Sequence, residues 1–127
     1  MKIFYQIIII LNFSFLNIID LNQLPKGAIE IKNNSVKIGD LKQGKIATVN
    51  FELKNISKNT IQIYSVTSTC GCTIVEYPKQ IIANQKIIIK ATFNSLGFIG
   101  PVKKELVLIT NDALKYYKME LEARVIK

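Results

Sequence analysis

"YKMELEARV", residues 117–125, alternates apolar and polar residues without a break. Tyr117, Met119, Leu121, Ala123 and Val125 fall at every second position, separated by Lys118, Glu120, Glu122 and Arg124. A helix buries residues three and four apart, so a period of two marks a strand with one face on a core and one in water. The same period recurs upstream. In "TVNFELKN" (48–55), Val49, Phe51 and Leu53 point one way; in "KIIIKATF" (86–93), Ile87, Ile89, Ala91 and Phe93 do. "TIQIYSVTS" (60–68) and "KELVLIT" (104–110) are further strands, the second apolar on both faces from Leu106 to Ile109 and therefore expected at the centre of a sheet.

Turn-forming clusters separate these runs: "NISKNT" at 55–60, "YPKQ" at 77–80, "IANQ" at 82–85, "SLGFIGP" at 95–101 and "TNDA" at 110–113. The third contains no glycine, and Gly97 and Gly100 in the fourth read as the turn of a hairpin. No segment carries a capped helical stripe. Half-apolar strands need a second sheet to cover them, so the expected fold is all-β, an immunoglobulin-like β-sandwich of about seven strands. It would lack the inter-sheet disulfide and buried tryptophan of antibody domains, because both cysteines are local and there is no Trp.

A chain of 127 residues is one domain in length and large enough to bury a core unaided. Its net charge of +8 comes from lysines scattered along the chain, with one adjacent pair in the folded region (Lys103-Lys104) and a single arginine. Arginine-rich, aromatic-interleaved sites are what nucleic acids require, so specific nucleic-acid binding is not expected. With no histidine, Cys-His and Ser-His-Asp catalysis are excluded. Asp112 and the glutamates read as solvated charges.

The first segment has another character. "MKIFYQIIIILNFSFLNII" puts a lysine ahead of an apolar run, the layout of a secretory signal. A small-residue cleavage site and a lipid-attachment cysteine are missing, and the run approaches the roughly 17 residues that span a bilayer. Residues 1–24 are therefore expected to be a signal peptide or an uncleaved hydrophobic anchor, and 25–127 the sandwich domain. Membrane contact is expected only through this segment, where uncleaved; a buried strand or core helix is the competing structural reading.

"VTSTCGCTIVEY" (66–77) holds both cysteines, Cys70 and Cys72. Residues two apart on a strand have Cα atoms about 6.6 Å apart, at the outer limit for a disulfide. Gly71 between them relaxes the geometry. Three readings stay open: a labile redox disulfide, a two-thiolate site for a soft ion such as Cu(I), and two buried residues without chemistry. Zinc would require two chains or carboxylates such as Glu76. Export would permit the oxidised state.

"FELKNIS", "VTSTCGCTIVEYP" and "IIIKATFNSLGFIGPVKKELVLITND", in this order, resemble the bacterial domain of unknown function catalogued as number 1573. The matching positions are Phe51 and Asn55, then Cys70, Gly71, Cys72 and Thr73, then Thr110 and Asn111. The resemblance covers roughly residues 46–125 and implies an exported immunoglobulin-like module. It departs where Ala83, Asn84 and Gln85 replace a Pro-Gly turn. The functional expectation is a non-catalytic binding or scaffolding module, periplasmic, secreted or otherwise associated with the bacterial cell envelope, with an envelope protein or surface component as partner. The alternative is a thiol–disulfide or copper-binding protein using Cys70 and Cys72.

Overall fold

In the computed structural model, residues 26–71 and 73–127 are described. The expected leader, the domain start at Pro25 and Cys72 lie outside these residues. Nine strands occur among the described residues, and no helix: β1 (Ile29–Ile31), β2 (Ser35–Lys42), β3 (Ile46–Asn55), β4 (Ile61–Ser68), β5 (Thr73–Glu76), β6 (Gln80–Ile81), β7 (Lys86–Asn94), β8 (Gly100–Thr110) and β9 (Tyr116–Ile126). They form two sheets, ordered β1-β3-β7-β5 and β2-β9-β8-β4-β6. The surplus over seven strands comes from short pieces, β1 with three residues and β6 with two.

The alternation dictates the packing. Val49, Phe51 and Leu53 of β3 and Ile87, Ile89, Ala91 and Phe93 of β7 line the inner face of the first sheet. Leu106 and Leu108 of β8 meet them from the second, with Tyr117, Met119, Leu121, Ala123 and Val125 of β9. Register keeps the faces in phase, as Phe51 pairs with Ile89 and Leu106 with Met119. β8 is indeed the middle strand of its sheet, as its two apolar faces require.

Two features differ from expectation. The 95–99 turn does not make a hairpin, because β7 lies in one sheet and β8 in the other. Its glycines reverse the chain between layers rather than within one. β2 pairs in parallel with the last strand, β9, and its alternation breaks at a bulge between Lys37 and Gly39, where Gly39 takes φ +84°. That left-handed backbone suits glycine, and the bulge hides the strand's period from a sequence reading.

Candidate functional site

Asn55 ends β3 fully buried. Its side-chain amide donates to the carbonyls of Asn59 (2.7 Å) and Ile81 (2.9 Å), and its oxygen accepts from the Ser57 amide (3.0 Å) and hydroxyl (2.7 Å). Its backbone carbonyl also accepts from the Asn84 amide, and its amide donates to Gln85 O. One buried amide thus binds the 56–60 and 82–85 turns together, and a buried amide is tolerated only when satisfied in this way. Asn84 has φ +62°, so it takes the left-handed position that the missing glycine would have filled. Phe51, four residues earlier, is fully buried in the core.

A second network lies beyond β8. Thr110 is buried and its hydroxyl donates to Asp112 (2.9 Å). Asn111 mimics a strand neighbour: its amide donates to Gln62 O (3.2 Å) and its side-chain oxygen accepts from Gln62 N (2.8 Å). Asp112, expected to be solvated, is instead half-buried and accepts from the Ala28 amide (2.9 Å), the Lys115 amide (2.9 Å) and the Tyr117 hydroxyl. Burial pushes the carboxyl up, but these bonds outweigh it and hold it below the usual carboxylate range. Burial and the same carboxylate push the Tyr117 phenol up to about 12. Gly27 makes room for this phenol, since a Cβ there would lie 2.6 Å from Tyr117 Oη. These bonds tie turns to strands, and no buried side-chain polar atom among the described residues lacks a partner.

The open chemistry lies elsewhere, along β4. β6 covers only its first two residues, Ile61 and Gln62, and Lys79 O extends this cover to the Ile63 amide (2.8 Å). Beyond a bulge at Tyr64, β4 resumes pairing with β8, from Ser65 with Ile109 to Ser68 with Leu106. On its other side, among the described residues, no strand follows Ile63. The Thr69 amide bonds Glu105 O (3.0 Å) on the β8 side, so by alternation Val66 and Ser68 turn their peptide groups to the open side. Tyr64 is 66% exposed beside this edge.

The open edge runs directly into the cysteine turn. Cys70 is half-buried and disulfide-bonded, and its amide donates to Ser68 Oγ (3.4 Å). Gly71 is exposed, and a Cβ there would meet nothing within 4 Å. Thr73 is buried, its amide donates to Cys70 O (3.4 Å), and it starts β5 opposite Phe93. Among the described residues no three His, Cys, Asp or Glu side chains converge as a metal site would.

The outer face of the second sheet offers a shallow groove of about 470 Å³ lined by Lys37, Gly39, Pro101, Lys103, Glu122 and Arg124. Two of its cations are paired with neighbouring carboxylates: Arg124 forks onto Asp40 (2.9 and 3.1 Å), and Lys103 meets Glu120 at 3.1 Å. Such exposed pairs add little stability.

The architecture is a two-sheet β-sandwich that resembles PapD-like and immunoglobulin-like folds. It is similar to PapD-like domain 7 of human CEP192 (13% identity, TM-score 0.67, covering 83% of this chain and 92% of that one). It is also similar to the YadV chaperone (18%, 0.60, 80% of this chain and 53% of that one) and to WR4, a member of the C. elegans MSP family (9%, 0.56, 80% and 100%). The chain thus spans about half of YadV. At these identities the likeness is one of fold. In sequence, the chain belongs to the family described as Protein of unknown function (DUF1573), which matches residues 29–125. No curated protein matches it.

Proposed function

We propose that this chain is an exported, non-catalytic binding module of the bacterial cell envelope that takes up an extended segment of a partner along the open edge of β4. The observation that carries this reading is the contrast between β4 and the other edges. β1 and β6 are too short to template a strand, and β2 is interrupted by its Gly39 bulge and carries Lys37, Asp40 and Lys42. β5 has four residues and stops at Tyr77-Pro78. These are the ways in which proteins blunt their edges. Beyond the bulge at Tyr64, "SVTST" (65–69) has none of them: no further bulge, no charge and no proline. Strand addition would draw affinity from the Val66 and Ser68 peptide groups, with Tyr64 as an aromatic anchor. The fold likeness to a chaperone, YadV, agrees with a role in holding another chain.

A photo-crosslinking side chain placed at Thr67 in the native host tests this, with Lys37 on the β2 edge as control. A discrete envelope-protein adduct from Thr67, lost on adding Ser65→Lys, supports edge capture. No adduct, or the same adduct from both positions, overturns it.

A second reading is favoured by one observation, that the disulfide-bonded Cys70 sits at the end of this edge and is only half-buried. In that reading the Cys70 and Cys72 pair exchanges disulfides with a bound partner or, reduced, holds Cu(I), with Gly71 and Thr73 shaping the turn.

A further inference from the structure

The end of the sandwich next to the cysteine turn is stitched from three segments. Ser95 is fully buried; its hydroxyl donates to the carbonyls of Lys42 (3.0 Å) and Lys45 (2.7 Å), and its amide to Lys45 O (3.0 Å). The Gln43 amide donates to Ile126 O (2.7 Å), Ile46 pairs with Asn94, and Gly100 pairs with Val125. The 43–45 turn, the 95–99 turn and the end of β9 therefore form one continuous rim.

Within that rim Phe98 closes the core. Its ring lies 5.6 Å from Phe93, and Lys104 Nζ sits 4.6 Å from its centroid. Leu96 and Ile99, on either side of it in the same turn, stay outside at 70% and 54% exposure, and Ile46 at 63%. Nothing in the packing calls for three large apolar side chains in water. Around them stand Lys42 and Lys45, both exposed, and "KQGKI" (42–46) and "NSLGFIG" (94–100) contain no acidic residue.

We propose that this end docks on an anionic lipid surface, with Ile46, Leu96 and Ile99 entering the boundary between headgroups and acyl chains and Lys42 and Lys45 meeting lipid phosphates. Apolar tips ringed by cations without acids are the signature of an interfacial anchor. A symmetric contact between two copies would set lysines against lysines, so a second copy fits poorly. This surface is separate from the β4 edge, whose cysteine-turn end would then face the membrane.

The chain contains no tryptophan, so one can be introduced as a reporter at either end. Leu96→Trp marks the proposed anchor, and Tyr116→Trp, at an exposed site on the opposite end, is the control. The full chain is titrated with phosphatidylcholine vesicles with and without phosphatidylglycerol, including brominated lipid as quencher. The expected result is a blue shift and quenching for Leu96→Trp on phosphatidylglycerol vesicles, with Tyr116→Trp unchanged. Adding Lys42→Glu and Lys45→Glu should raise the lipid concentration at half-shift roughly tenfold. Equal responses from both reporters, which attachment through the N-terminal apolar segment alone would give, overturn the proposal. So does no response from Leu96→Trp, or a titration indifferent to the two lysines.

Discussion

The Tyr117 hydroxyl donates to Asp112, and its oxygen accepts from the Ile29 amide (3.2 Å), so one phenol ties the β8–β9 turn to the first strand. The β8–β9 turn and the N-terminal strand are far apart in the chain, and this contact joins the two sheets at one end. Both groups carry shifted pKa values, which makes the contact visible in titration.

Asp112 is held below its usual range, so its contribution to stability is present above about pH 4 and lost as pH falls through the depressed folded value. Tyr117 is raised to about 12, so its contribution is complete below about pH 10 and lost as pH rises from there through about 12. Urea unfolding across the pH range should give a plateau between these limits. Tyr117→Phe should lower the plateau by about 1.5–3 kcal/mol, the range for a hydrogen bond to a charged group, and remove the alkaline decline. An alkaline limb that persists in Tyr117→Phe would assign it to another group.

Asn84 occupies a left-handed backbone position in the turn that Asn55 gathers. Asn84→Gly should leave the midpoint of thermal unfolding unchanged or raise it slightly, whereas Asn84→Ala should cost about 1 kcal/mol. The opposite order would mean that the asparagine side chain, not its backbone freedom, secures the turn.

Cys70 and Cys72 enclose only Gly71, so a bond between them constrains little of the unfolded chain. Replacing both with serine should therefore change stability by no more than about 1.6 kcal/mol, checked by urea unfolding beside thiol trapping across a glutathione series. A loss of several kcal/mol, with the thiols trapped only on unfolding, would make the pair part of the core and remove the redox and copper readings.

β3, β7 and β9 were legible because each has one wet face. Val49-Phe51-Leu53 and Tyr117 through Val125 could be placed inside from period two alone, and the doubly apolar Leu106–Ile109 run correctly demanded a central strand. β2 was not legible, since the bulge at Gly39 shifts its alternation midway. Nor was the role of the 95–99 turn: Gly97 and Gly100 announce a reversal, but nothing local says which sheet the next strand joins. Asp112 was misread for a related reason. Its partners include the backbone of Ala28, and a carboxylate whose donors come from distant main chain looks solvated in sequence. At the candidate site, Cys70 could be singled out by residue type, whereas the open β4 edge follows from β6 ending early, which only the pairing reveals.

The parallel pairing of β2 with β9 has a consequence for how the molecule comes into being. Among the described strands, Ser35 to Lys42 find their only partner between Glu120 and Ile126, so the second sheet lacks β2 until β9 has been made. Contacts of this range are slow to form, because a long loop must close before they reward it. The same topology that seals the finished domain leaves the second sheet open at that edge until β9 has been made.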